Sequence, residues 1–400
     1  MNKHTLLVSS PFDTYSGYGA RARDIIRSLI NLDKYDIKLL PQPWGDTPNG
    51  FCKDNPEYQD LLDYQTPKIE KQPDIFIQIT IPEEFTPIGQ YNIGVTAGIE
   101  TDKCNPLWRE GMDRMDLVLT SSTHSQKVLK DTLVTTPVEV LFEGYNPEVF
   151  FHTNEIFRDL KQIKEKYAYL FVGHWMAGEF GHDRKNVSLL IKAFLEVFKN
   201  KQKKPALLLK TSIGSSSYTS REEILKKIQT IRDSVDSNNL PTIYLLHGDL
   251  TDHEMNMLYY HPKVKTMVNL TKGEGFGRPL LEFSLTGKPI ITTNFSGHLD
   301  FLDSEYTTLI NGELETVHLS ASNKWLLPDA KWFKPNNPEI GEALIKTFNQ
   351  YPKCLKLSKK QSSINKSNFS LEKMQEKLDK LLEKYKPQLV QEIELNLPKL

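Results

Sequence analysis

Cysteine is scarce in this chain: Cys52, Cys104 and Cys354 are the only three among 400 residues, and they lie far apart. An odd, scattered set rules out a disulfide framework and a zinc knuckle, and points to a reducing cytoplasm. Long apolar runs are also missing. No stretch approaches the ~18 residues of a membrane span, so no integral membrane association is expected. The first residues, Met1-Asn2-Lys3-His4, have neither the apolar stretch nor the small-residue cleavage site of a signal peptide. H-E-x-x-H, paired C-x-x-C, P-loop and G-x-S-x-G patterns are all absent. A large net charge is lacking too, with 50 Lys+Arg against 51 Asp+Glu.

Near-neutrality conceals an asymmetry. Residues 1–150 hold 14 Lys+Arg against 22 Asp+Glu, and residues 151–400 hold 36 against 29. An acidic first part and a basic second part fit two domains with different tasks, or two lobes that attract across a cleft. A length of 400 residues also favours two domains.

The first 150 residues alternate short apolar runs with helical patterns. Strands are predicted at Thr5–Ser9, Ile37–Leu40, Ile75–Ile79, Tyr91–Val95, Leu117–Leu119 and Val138–Leu141. A helix is predicted over 20–31, with Ile25, Ile26, Leu29 and Ile30 on one stripe and Arg21, Arg23 and Arg27 opposite. Segment 42–72 reads as a long excursion. The second half repeats the grammar, with strands near 169–173, 207–210, 243–246, 266–269 and 288–293. Helices are predicted at 187–198, roughly 219–235 and 251–259. The reading is α/β: two consecutive Rossmann-like, doubly wound sheets facing each other across a cleft. The division is 1–150, 151–354, and 355–400 as a helix packing back on the body plus a tail after Pro387.

The strongest motif is Gly273-Glu274-Gly275-Phe276-Gly277-Arg278-Pro279-Leu280-Leu281-Glu282. Pro279 suits the first turn of a helix. Gly275 and Gly277 expose backbone amides just before it, which suits an anion or a polar ligand. Glu274 and Glu282 are natural partners for the hydroxyls of a sugar or ribose.

This run resembles the E-x7-E signature of retaining glycosyltransferases of the GT-B fold, family 4 type. Lys288-Pro289-Ile290-Ile291-Thr292-Thr293 and Ser296-Gly297-His298 look like the family's continuation. The resemblance implies that Glu274 contacts the donor sugar and Glu282 the ribose of the nucleotide. It also implies that the amides of Phe276, Gly277 and Arg278 face the sugar and diphosphate.

Three further stretches extend the resemblance. Lys185, in Asp183-Arg184-Lys185-Asn186, matches the family's diphosphate-holding lysine. The Arg that usually follows the strand's Gly is here His174, and Arg184 or Arg278 could take its place. Gly17 and Gly19, in Ser16-Gly17-Tyr18-Gly19-Ala20, match the glycine loop of the first domain. A dinucleotide fingerprint is disfavoured, because the loop starts too far from Ser9 and no acidic residue follows Leu39-Leu40. Glu100 stands where many members carry His, suited to orienting the acceptor or touching the donor sugar. A helix N-terminal acidic residue is an equal reading. His124 and Asn269 are weaker cleft residues.

No Asp-x-Asp is present, so a divalent-metal site of the GT-A kind is not expected. No resident cofactor is expected either, the nucleotide-diphosphate sugar, such as a UDP-sugar, being a substrate. The stretches Ser16–Gly19, Pro43-Trp44-Gly45 and Glu100-Thr101-Asp102 look like glycosyltransferases encoded by large DNA phages. By that likeness a hydroxymethylated base in DNA is one acceptor; the acidic balance of residues 1–150 argues against it, with Arg21, Arg23 and Arg27 as the local patch that could still serve. Saccharide, lipid and protein acceptors, a nucleotide-sugar epimerase and a silent binding module are the alternatives.

Overall fold

The computed structural model describes residues 3–69 and 71–385; the tail expected after Pro387 lies outside them. Among the described residues, twelve parallel strands form two sheets. The first holds β1 (His4–Ser10), β2 (Tyr35–Pro41), β3 (Ile75–Ile79), β4 (Tyr91–Thr96), β5 (Leu117–Thr120) and β6 (Val138–Val140). The second holds β7 (Ala168–Val172), β8 (Ala206–Lys210), β9 (Ile243–Leu246), β10 (Val264–Asn269), β11 (Ile290–Thr293) and β12 (Thr308–Ile310). Their orders are β2-β1-β3-β4-β5-β6 and β12-β11-β10-β7-β8-β9. The second is the 3-2-1-4-5-6 order of a doubly wound dinucleotide-type sheet, and the first begins with the flavodoxin-like order. Each order reverses direction once, beside β1 and beside β7. Loops at the carboxyl ends of these strands therefore border a crevice suited to a ligand.

Burial explains why the strands read so plainly. All five residues of β3 are buried, as are all four of β5 and β11. Parallel strands covered on both faces select continuous apolar runs. The helix Val187–Phe198 buries Val187, Leu190, Ile191, Phe194, Leu195 and Phe198, the stripe expected of a 3.6-residue period. The helix Gly17–Leu32 starts at Ser16, whose side chain accepts the Gly19 amide, and ends at Asp33 in the left-handed conformation.

After β12 the chain adds an antiparallel hairpin, β13 (Gly312–Thr316) and β14 (Lys331–Pro335). Its connecting loop reaches the first domain: the Asp102 amide donates to Lys331 O at 2.9 Å, and Asn105 Nδ2 to Lys324 O at 3.0 Å. Trp325 packs beside Phe85, Ile99 and Trp108. Helices Asn337–Asn349 and Tyr351–Asn368 follow. The last described helix, Leu371–Lys384, crosses back and buries Met374, Leu378, Leu381 and Leu382 in the core of the first domain. At roughly 1.5–3 kcal/mol per buried side chain, this helix is a substantial part of that domain's stability. Among the described residues, no helix is long and apolar enough to cross a membrane.

Candidate functional site

The loop leaving β10 carries Glu274 into the crevice. Its backbone is held at both ends: the amide donates to Ser296 Oγ at 2.8 Å, and the carbonyl accepts from the Gly297 amide at 3.0 Å. The carboxylate accepts two hydrogen bonds from Lys185 Nζ, at 2.6 and 2.7 Å. Arg184 stands 3.9 Å away, and Asn269 Nδ2 reaches it at 3.5 Å. Burial alone would push the carboxyl's pKa up. The Lys185 and Arg184 charges outweigh it and hold the pKa at about 2. Lys185 shifts the opposite way: burial lowers it, with Arg184 adding, and Glu274 restores only part. The pair is thus ionised, and its ammonium is poorly solvated and open to a better anionic partner.

Arg184 ties this pair to the first domain. Its guanidinium donates to Gly273 O at 2.9 Å and lies 3.1 Å from Glu100 Oε1. The two loops approach so closely that side chains are excluded. A Cβ on Gly273 would lie 2.0 Å from Glu100 O, and one on Gly275 2.7 Å from Ala97 O. Gly275 is glycine for this close approach between domains as well as for any exposed amide. Gly277, at φ +96°, caps the helix Arg278–Ser284, and no side chain bonds to that cap. Pro279 brings no amide to the helix's first turn, and the Leu280 and Leu281 amides close onto Gly277 O at 2.9 and 3.2 Å. Phe276 points inward and packs on Phe301, so only its backbone can face the crevice.

Glu282 falls on the second turn of that helix, buried, with Arg278 Nε at 3.0 Å and Tyr259 Oη at 3.1 Å. Burial raises its pKa to about 8; Arg278 opposes the rise and Asp252 adds to it. Arg278 also bonds to Asp24 and approaches Glu143 at 3.5 Å, both in the first domain. These carboxylates hold its pKa well above the usual guanidinium range despite burial. In this conformation Arg278 clasps the two domains together instead of standing free.

A cavity of about 400 Å³ opens beside this cluster, lined from both domains by Tyr15, Gly17, Trp44, His174, Ser212 and Asp249, among others. Trp44 stacks on Tyr18 with ring centroids 4.0 Å apart. Tyr18 is fixed in turn by Thr96 Oγ1 at 2.9 Å and the Ala97 amide at 3.1 Å. His174 Nδ1 pairs with Ser212 Oγ at 2.9 Å. Burial, then the charges of Lys185 and Lys210, lower its pKa and keep the ring neutral. The two glycines of the first loop differ. A Cβ on Gly17 meets open space in the cleft, whereas one on Gly19 would lie 2.4 Å from Thr14 O. Gly17 borders the ligand space; Gly19 is there for packing.

The structure thus brings Glu100, Arg184, Lys185 and Glu274 into one cluster, places Arg278 and Glu282 beside it, and sets Gly17 and His174 on the adjoining cavity. Asn269 joins the Glu274 shell. His124 lies half-buried against Phe295, outside it. Lys210, Ser296, Asp24 and Glu143 were not singled out from sequence. Lys210 ends a strand whose carboxyl end faces the crevice, a positional signal that could have found it. Ser296 lies in a stretch matched to the family with no role attached.

The arginines of the first helix do not form a surface patch. Arg21 is 1% and Arg23 3% exposed. Arg21 donates to the carbonyls of Leu141 and Phe142, and Arg23 to those of Phe12 and Thr14 while lying over the Phe51 ring. Arg27 is engaged by Asp60. The guanidinium groups satisfy these buried carbonyls, which is why the positions are charged yet inside. Among the described residues, no group of three or more His, Cys, Asp or Glu side chains is placed to hold a metal ion.

No protein-family model and no curated protein matches the chain. Solved structures do, over nearly its whole length. HepE from Anabaena in complex with UDP superposes with a TM-score of 0.64 at 13% identity, covering 95% of this chain and 100% of that one. A sucrose-phosphate synthase from Thermosynechococcus elongatus gives 0.64 at 11% identity, covering 96% and 99%. A glycosyltransferase from Rickettsia africae gives 0.59 at 14%, covering 96% and 99%. Identities this low establish the fold, which is GT-B: two Rossmann-like domains facing across a cleft.

Proposed function

We propose that the chain is a retaining, metal-independent glycosyltransferase that moves a sugar from a nucleoside-diphosphate sugar to an acceptor hydroxyl. The carrying observation is the buried Lys185–Glu274 pair, at 2.6 Å, on a crevice between two nucleotide-type sheets. Three of the similar structures hold UDP, UDP-glucose, or UDP and glucose, which makes a UDP-sugar the first donor to test. The reading assigns Glu274 to the donor sugar and Glu282 to the ribose, as the E-x7-E likeness implies.

In this reading the diphosphate takes Lys185 from Glu274, with Arg184 close by and the uncapped turn at Gly277–Arg278 supplying amides. Freed from Lys185, the Glu274 carboxylate turns to the hydroxyls of the donor sugar. Glu282 faces the ribose once Arg278 releases it. The bond from the sugar to the diphosphate oxygen breaks, and a bond from the sugar to the acceptor oxygen forms. The acceptor's proton passes to the departing diphosphate, so no protein nucleophile is required. The chain's contribution is positioning and electrostatic stabilisation of the leaving group in a closed, water-poor site.

Glu100 lies on the acceptor-domain side of the same cluster and is the group best placed to orient the incoming hydroxyl. Its link to Arg184 keeps it within reach of both substrates. For the acceptor, a neutral hydroxyl compound is favoured over DNA. The cavity lining includes neither Lys nor Arg, and the helix arginines are occupied, whereas a polyanion needs free cations. A thermal-shift screen with UDP, GDP and ADP, each alone and as the sugar conjugate, tests the reading. Stabilisation by one base class supports it, and no response to any nucleotide overturns it.

A further inference from the structure

Ser296 occupies a backbone conformation that belongs to glycine. Its φ of 78° and ψ of −159° lie in a region that other residues almost never adopt. Such strain persists only where the surroundings impose it, and it is concentrated at functional sites. Here the constraints are identifiable on both sides. The Asn294 amide donates to Ile310 O at 2.8 Å, and Phe295 stacks on Phe333 with ring planes 6° apart. Next in the chain, Gly297 lies so close to the Glu274 loop that a Cβ would come within 2.2 Å of Gly275 O. Buried His298 then donates from Nε2 to Thr293 O at 2.6 Å.

What the strained turn grips is one residue. Ser296 Oγ accepts the Glu274 amide, and the Gly297 amide donates to the Glu274 carbonyl. Glycine at 296 would adopt this backbone without strain but would leave the buried Glu274 amide with no acceptor. The hydroxyl therefore accounts for the presence of serine at a glycine position.

We infer that Ser296 is a positioning residue: its hydroxyl, carried on a strained turn, fixes the peptide before Glu274 and so sets the carboxylate between Lys185 and the donor sugar. Its catalytic consequence rests on the glycosyltransferase reading; the contact itself does not. The decisive variant is Ser296→Gly, because it relieves strain while deleting the acceptor. These effects on folding oppose each other, so the variant keeps its fold. Ser296→Ala deletes the acceptor and retains the strain.

The test combines residue-resolved hydrogen exchange at the Glu274 amide with steady-state kinetics on the nucleotide sugar the wild type consumes. In Ser296→Gly the Glu274 amide exchanges at least ~10-fold faster. Its kcat falls on the order of 10²-fold, the cost of a displaced catalytic group, while KM for the donor changes little. Ser296→Ala loses kcat similarly and melts at a lower temperature than Ser296→Gly. Unchanged exchange at Glu274, or faster exchange with wild-type kcat, overturns the inference. A wild-type chain that consumes no nucleotide sugar overturns the functional reading and the catalytic role with it. The exchange result then still decides whether Ser296 holds Glu274.

Discussion

Replacing Glu274 by Gln separates the two tasks of this carboxylate. In the free protein it anchors Lys185, and in the proposed reaction it meets the donor sugar. A carboxylate held at about 2 instead of its ordinary 4.5 is stabilised as an anion by roughly 3 kcal/mol. Because the pKa is depressed on folding, that stabilisation is present above pH ~4.5 and is lost as pH falls towards 2. Lys185, whose charge is already disfavoured by burial, loses its partner in the variant, so a loss of about 3 kcal/mol is the expected order. At neutral pH, Glu274→Gln is therefore expected to melt about 5–10 °C lower. That deficit should vanish in acid. The same change leaves Lys185 without a carboxylate competitor, so UDP should bind more tightly, on the order of 10-fold by calorimetry. Turnover of the nucleotide sugar should collapse. An unchanged turnover, or a UDP affinity that weakens alongside stability, would refute the reasoning.

Lys185→Ala should do the reverse to binding: losing one charge-assisted contact of ~1.5–3 kcal/mol weakens UDP about 10- to 100-fold in a calorimetric titration. Gly19→Ala and Gly17→Ala should part company. The first drives a Cβ into Thr14 O and lowers the melting temperature through overpacking of about 1–3 kcal/mol. The second leaves melting within experimental error but reduces ligand affinity, and equal melting losses would remove Gly17 from the cleft. Glu282 has a pKa raised on folding to about 8, so it favours the folded state at low pH and loses that contribution as pH rises from ~4.5 to ~8. Glu282→Gln should flatten the melting profile over this range and be the more stable protein at pH 8, while binding the nucleotide more weakly. Duplex DNA should show no specific retention even at about 50 mM salt; tight, steeply salt-dependent binding would restore nucleic acid as the acceptor.

The twelve sheet strands differed in legibility for a physical reason. Eleven of them coincide with apolar runs noted in the sequence; strands such as β3, β5 and β11, buried on both faces, tolerate little else. β12 is three residues long, and β13 shows only one residue that is not exposed, so neither carries such a signal. The sequence suggests one helix within 355–400, whereas Tyr351–Asn368 is a separate helix ahead of Leu371–Lys384. Its buried positions are Ser358, Gln361, Ser362 and Asn365, which dock through hydrogen bonds such as Gln361 Nε2 to Phe301 O at 2.7 Å. Hydrophobic periodicity cannot register a polar interface.

The site was legible where chemistry and local pattern coincide. Glu274 and Lys185 are 89 positions apart, yet each sits in a distinctive loop before a helix. Arg21 and Arg23 misled because helical spacing places them away from the apolar stripe, while in three dimensions that face is covered by the Phe142–Met374 region and by Phe51. Nor could the sequence disclose that Gly273 and Gly275 answer to the Glu100 loop, which depends on how the domains meet, or that Ser296 is strained, which depends on how its turn packs on the Glu274 loop, Ile310 and Phe333.

The central claim is that this crevice cleaves a nucleoside-diphosphate sugar with Lys185 on the diphosphate and Glu274 on the sugar. Its most direct test is release of free nucleoside diphosphate from UDP-, GDP- and ADP-sugars in EDTA, with a panel of saccharide acceptors, for wild type, Glu274→Gln and Lys185→Ala. The account predicts release from one base class by the wild type, undiminished by the chelator and abolished in both variants. Release that either variant retains, or that depends on added metal, would contradict it, as would a wild type inert towards every donor.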